Sequence, residues 1–152
     1  MGAQVRLPKA VDESGAPGGK VFLSVKNSDK ARAVSLAKSL VDLGFALVAT
    51  RGTAAAIRGA GIDCEQVNKV AEGRPNVVDL IKNGEISLVI NTVEERRNAI
   101  VDSGYIRTSS LAGRVTTFTT MSGAEAAVEG MRDMDDLDVI SVQEMHAMIK
   151  AA

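Results

Sequence analysis

Phe45-Ala46-Leu47-Val48-Ala49-Thr50-Arg51-Gly52-Thr53 is an apolar run that stops on two hydroxyls and a glycine. A short run of this kind reads as a strand, and Ala54–Arg58 behind it reads as a helix beginning near Thr53. Such a junction can hold a phosphate. Gly52 lets the backbone approach an anion, and a helix start turns unpaired N–H groups and a positive dipole end toward the same spot. The same residues also suit plain turning and capping, so this stretch alone leaves both readings open.

Outward from this junction the pattern alternates strand and helix. Val21-Phe22-Leu23-Ser24-Val25 predicts a first strand, with Ser28 or Asp29 as cap of the helix behind it. Ala33, Leu36, Ala37, Leu40, Val41 and Leu43 fall on one face of that helix, and Gly44 ends it. Gly59 and Gly61 close the second helix, and Ile62–Val67 predicts a short, half-exposed third strand. Asn76–Lys82 reads as a helix with Pro75 near its first turn and Gly84 after it. Ser87-Leu88-Val89-Ile90, ending on Asn91-Thr92, is wholly apolar, as strands covered on both faces are. Glu94–Val101 predicts a helix, Arg114–Thr117 a strand and Ser122–Met131 an Ala-rich helix. Ser141-Val142-Gln143-Glu144 is a capping box that opens a final helix. The alternation predicts an α/β fold: a three-layer, Rossmann-like parallel sheet with helices on both faces. Residues 1–19 hold two of the three prolines and read as a linker from upstream domains, with the folded domain over 20–150.

Bulk properties narrow the function. The 152 residues fit one domain with a real core, and the net charge of −1 gives no field suited to nucleic acid or a membrane surface. Neither a signal peptide nor a run long enough to span a membrane is visible. The single cysteine, Cys64, forms no internal disulfide and points to a reducing cytoplasm. One histidine and one cysteine are too few for a His/Cys metal cage, and no metal site is expected.

In parallel α/β folds, ligands bind beyond the carboxyl ends of the strands. Those ends carry Ser24 with Lys26 and Lys30, then Thr50 and Thr53, then Asn68-Lys69, then Asn91-Thr92 followed by Arg96-Arg97. Hydroxyls, amides, lysines and helix starts suit a phosphate and the hydroxyls of a sugar. Taken singly, each residue also has a plain structural reading: solvated lysine, turn asparagine, backbone-satisfying threonine. Convergence on one edge is the argument for a site. No Ser-His-Asp set, no partnered cysteine, no G-x-G-x-x-G and no G-x-x-x-x-G-K-[ST] occurs. Asp63, Asp79 and Asp102 are the candidate acid–base groups, with Asp79 read as surface charge on a helix. Enzyme and binding module both stay open on the residues alone.

A family resemblance sharpens this. Val67-Asn68-Lys69-Val70, Glu72-Gly73-Arg74-Pro75, Ile81-Lys82-Asn83-Gly84-Glu85, Ile90-Asn91-Thr92 and Val139-Ile140-Ser141-Val142-Gln143-Glu144-Met145-His146 resemble the C-terminal allosteric domain of the carbamoyl phosphate synthetase large subunit. The resemblance covers about Lys20 to Lys150 and implies the methylglyoxal synthase-like fold. It implies a regulatory domain with no catalytic residues of its own. The effectors would be UMP as inhibitor and, in some members, IMP as activator, with no other cofactor. The implied partners are the rest of the large subunit and its glutaminase small subunit, and self-association is a further expectation. Lys30, Thr50, Thr53, Lys69, Asn91 and Thr92 resemble the family's phosphate and nucleotide contacts, with Ser24 added at the end of the first strand. Replacing Lys30 or Thr53 by alanine is expected to weaken nucleotide binding without unfolding the domain. Val93 stands where some members carry Thr, and Thr117-Phe118-Thr119 lacks the Tyr with which some members bind ornithine. The alternative is a lyase of the methylglyoxal synthase type acting on dihydroxyacetone phosphate. Its catalytic Gly-Asp would fall near Gly73-Arg74, where an arginine cannot serve as the carboxylate base.

Overall fold

The computed structural model describes residues 19–93 and 97–133. The linker expected before Gly19, the first residues of the helix expected over Glu94–Val101 and the final helix expected from Ser141 lie outside the described residues. The elements run β1 (Lys20–Ser24), α1 (Lys30–Asp42), β2 (Ala46–Ala49), α2 (Arg51–Gly59), β3 (Glu65–Gln66), α3 (Val77–Lys82), β4 (Ile86–Asn91), α4 (Arg97–Ala112), β5 (Thr116–Phe118) and α5 (121–133). Single 3-10 turns at Asn27–Asp29 and Val70–Glu72 precede α1 and α3.

The strands form one all-parallel sheet in the order β3-β2-β1-β4-β5. Strand alternation sends neighbouring side chains to opposite faces, and the sheet is apolar on both. Val21, Leu23, Leu47, Ala49, Leu88 and Ile90 pack with α1, α2 and α5 in one cluster. Phe22, Val48 and Val89 face the other way, against Val77 and Ile81 of α3 and Ile106 of α4. This is the three-layer arrangement the sequence pattern predicts.

Four helices end in one way. After α1, the Gly44 N–H donates to the Val41 carbonyl at 2.9 Å and the Phe45 N–H to the Leu40 carbonyl at 3.0 Å, with Gly44 at φ +97°. That paired pattern needs a left-handed residue just past the helix, where glycine costs nothing. Gly61 and Gly84 end α2 and α3 with the same two bonds. At the end of α4 the left-handed position falls on Arg114, at φ +55°. Arg114→Gly is therefore expected to stabilise the fold by about 0.5–1 kcal/mol, read from the urea midpoint.

Several boundaries move for identifiable reasons. Helix α2 starts at Arg51 rather than near Thr53, because Thr50 is extended and its carbonyl accepts the Ala54 N–H at 2.7 Å. Asp29 occupies the cap position of α1 without a side-chain bond, so neither Ser28 nor Asp29 caps as expected. Pro75 lies before α3. Asn76 is the cap, its Oδ1 accepting from the Val78 N–H at 2.9 Å. β3 shrinks to two residues because Ile62 is consumed in the turn closing α2, its N–H bonded to Ile57. β5 begins at Thr116 because Gly113 and Arg114 belong to the end of α4. No helix among the described residues is long and apolar enough to cross a membrane.

Candidate functional site

The chain runs from β1 to β2 on one side and reaches β4 on the other, so the strand order reverses between β1 and β4. In open parallel sheets the crevice beyond the carboxyl ends at such a reversal is the usual ligand site. Ser24 and Asn91 are register partners across this line.

Side chains from three strand ends lock the edge together. The Thr53 Oγ1, in the first turn of α2, accepts the Val25 N–H at 3.1 Å. The Thr92 Oγ1, just past β4, accepts the Lys26 N–H at 3.0 Å. The Thr50 hydroxyl donates to the Ser24 Oγ at 3.0 Å. The Asn91 Nδ2 donates to the Ser103 Oγ of α4 at 3.1 Å. Thr50, Thr53, Asn91 and Thr92 are buried, and among the described residues every buried side-chain nitrogen or oxygen has a partner. The backbone-satisfying reading thus holds for Thr53, and also for Thr92, whereas the Thr50 hydroxyl bonds a side chain instead. A hydroxyl that accepts one bond still has a proton to donate, so it excludes no ligand.

Because Thr53 satisfies a buried amide, its alanine variant carries a cost that the sequence alone did not show. Thr53→Ala should destabilise the fold by about 1–3 kcal/mol, and Thr53→Ser, which keeps the oxygen, by under about 1 kcal/mol. Equal melting temperatures for the two variants would contradict that bond.

Lys30, the first residue of α1, reaches back over its own loop. Its Nζ donates to the Val25 carbonyl at 3.2 Å and to the Asn27 Oδ1 at 2.6 Å. The same ammonium stands over α2, since a Cβ built on Gly52 would lie 3.6 Å from it. The first-turn amides of Arg51, Gly52 and Thr53 have no intrahelical acceptor. Threonine is a good cap, yet the Thr50 side chain makes no capping bond and turns to Ser24 instead. A lysine ammonium, a positive helix end and uncapped amides thus share one exposed spot.

The structure joins Ser24, Lys30, Thr50, Thr53, Asn91 and Thr92 through the loop at residues 25–27 and the paired ends of β1 and β4. Lys69 stands on the next loop, after β3. It is exposed, and its N–H is bonded to the Glu72 carboxylate at 2.8 Å. Two participants escaped sequence reading. Asn27, between the first strand and the helix behind it, was not singled out. Ser103 sits on a helix whose inward stripe, Ser103, Ile106 and Ser110, mixes serine with one apolar residue and so hides its period.

Of the acid–base candidates, Asp79 is otherwise engaged, and the side chain of Asp102 lies outside the described residues. Arg74 makes two bonds to the Asp79 carboxylate, at 2.6 and 3.3 Å, and the Asn76 N–H adds a third at 2.9 Å. The Arg74 guanidinium, then the Asn76 amide, holds the Asp79 carboxyl below the usual carboxylate range. Asp79 is thus a helix-start brace with a side chain only 17% exposed, not the free surface charge expected, and a depressed carboxylate is a weak base. Burial pushes the Cys64 thiol up to about 11, so it is protonated at neutral pH, in keeping with a packing residue. A groove of about 400 Å³ runs along the seam of α1 and α5 past Arg32, Ser39, Glu125 and Arg132, and contains none of the seven expected residues.

With this geometry in place, comparison with known proteins gives the class. The MGS-like domain model matches residues 32–119, more than half of the chain, and the chain belongs to the MGS-like domain family. Its relatives are large chains of carbamoyl phosphate synthase. It is 55% identical over 131 residues to that of Ralstonia nicotianae, covering 86% of this chain and 12% of the relative. The Xanthomonas axonopodis pv. citri large chain is 48% identical over 149 residues, covering 98% and 14%. That of Neisseria meningitidis is 47% identical over 134 residues, covering 88% and 12%. The chain thus spans about an eighth of the length of the curated relatives it matches.

Proposed function

We propose that this chain is the regulatory nucleotide-binding domain of a carbamoyl phosphate synthetase large subunit, a ligase of pyrimidine and arginine biosynthesis in the cytoplasm. In this reading it catalyses nothing itself. It binds UMP as feedback inhibitor, and IMP as activator, with the nucleotide phosphate at the carboxyl edge of the sheet. The remainder of the large subunit and the glutaminase small subunit are its partners.

The observation that carries the reading is the meeting of Lys30 with the uncapped first turn of α2 beside Thr50 and Thr53. A phosphate there would accept from backbone amides and from the ammonium together, the charge-assisted bonds that bind anions best. Ser24, Asn91 and Thr92 at the strand reversal are placed for the ribose side, and Lys69 would approach from the loop after β3. That the relatives are carbamoyl phosphate synthase large chains supports the choice of enzyme. Regulation needs only that UMP prefer one conformation of that enzyme: a tenfold preference corresponds to about 1.4 kcal/mol.

Calorimetric titration of the chain with UMP, IMP, orotate and inorganic phosphate tests this. UMP binding well above phosphate is the expected result. Dihydroxyacetone phosphate turnover would instead establish the lyase reading, which Arg74 and the braced Asp79 disfavour.

A further inference from the structure

We infer that Asn27 is a built-in competitor for the phosphate, setting the affinity of the site by holding Lys30 when no ligand is bound. The inference rests on the proposed phosphate site and deepens it.

Lys30 has three N–H donors on its ammonium. One goes to the Val25 carbonyl at 3.2 Å and another to the Asn27 carboxamide oxygen at 2.6 Å. The Asn27 bond is the shorter, and the residue belongs to the single 3-10 turn of Asn27–Asp29 that leads into α1. Meanwhile the ammonium stays over Gly52, within van der Waals reach of the first turn of α2. A phosphate arriving at that turn can take the one N–H left over, and every further donor it takes comes from Asn27 or from Val25. An internal acceptor that the ligand has to displace lowers apparent affinity by the fraction of time it is engaged.

Charge explains why an amide suits the position. A carboxylate at residue 27 would hold the ammonium more tightly and would repel the incoming anion. An alanine would leave Lys30 tethered by Val25 alone. Asn27 also shares its loop with Val25 and Lys26, whose N–H groups are pinned by Thr53 and Thr92. Release of the Lys30 bond thus loosens one corner of a loop whose other corners stay fixed. The Asp29 N–H, bonded to the Lys26 carbonyl at 3.0 Å, reports on that corner.

The experiment is calorimetric titration of the wild-type chain, Asn27→Ala and Asn27→Asp with UMP and with inorganic phosphate, each variant checked for an unchanged fold by its melting curve. Asn27→Ala should bind both probes about fivefold more tightly, and Asn27→Asp should bind both more weakly. Hydrogen exchange at the Asp29 amide should speed up in wild type when UMP is added. Unchanged or weaker binding by folded Asn27→Ala, with binding by wild type intact, overturns the competition and leaves the site standing. Failure of wild type and both variants to bind either probe overturns the site itself.

Discussion

Replacing Lys30 by alanine should weaken UMP binding by about tenfold to a hundredfold while changing stability by less than about 1 kcal/mol. Its ammonium is the one side-chain cation placed on the first turn of α2 by a described contact, and a bond from a charged donor to phosphate contributes about 1.5–3 kcal/mol. The small stability effect follows from its position. Lys30 is only partly exposed, but its two acceptors, the Val25 carbonyl and the Asn27 amide, can turn to water when it goes. The salt dependence of binding should fall in the variant, because one ion pair has been removed. A folded Lys30→Ala chain with wild-type affinity for UMP would defeat the placement of the phosphate. Lys30→Arg distinguishes charge from shape: it keeps the charge but changes the fork of donors, and intermediate binding is expected.

Phe22→Ala should cost about 3–5 kcal/mol and lower the melting temperature by about 10–20 °C. Phe22 is fully buried on the central strand, with Val48 and Val89 of the neighbouring strands beside it and α3 and α4 above. Among the described residues, Val77 and Ile81 of the six-residue α3 and Ile106 of α4 are the buried helix residues of this cluster, with Val78 and Leu80 partly buried against it. Removing the ring leaves a cavity between the sheet and the α3–α4 layer that the surrounding structure fills only in part. Measured against a total stability of about 5–15 kcal/mol, the loss is large. Leu111→Ala is the matching control. Leu111 is 75% exposed on α4, and its loss should stay within about 0.5 kcal/mol. A Phe22→Ala cost below about 1 kcal/mol would mean that the α3–α4 layer does not pack on the sheet as described.

The central elements were legible in the sequence because their signals are local. β1, β2 and β4 are built on apolar runs, and α1 shows a buried stripe of Ala33, Leu36, Ala37 and Leu40 closed by Gly44, although Val41, expected on that face, is exposed. The edges were less legible because neighbouring elements consume residues. Ile62 looks like strand but closes α2, and Arg114 looks like strand but occupies the left-handed end of α4. Glu94–Val101 predicted only the front of α4, because the buried Ser103 and Ser110 interrupt the apolar period farther along. For the proposed site, the strand-end rule and the resemblance chose largely the same residues, and the resemblance suggested the ligand class. What spacing could not show was how the residues are engaged: that Thr53 and Thr92 hold the loop after β1, and that Asn27 sits on Lys30.

The hydroxyl staples across the strand ends also divide the site by how freely it can evolve. In the proposed reading, Thr50, Thr53 and Thr92 belong at once to the ligand edge and to the integrity of the sheet, so drift at these positions would damage folding before it altered preference. Asn27, Lys30 and Lys69 lie at the accessible rim, where exchange leaves the frame intact. A lineage that changes which effector it obeys, or how strongly, has its inexpensive mutations at those three positions. The buried threonines would persist beneath them as a shared inheritance among descendants that answer to different signals.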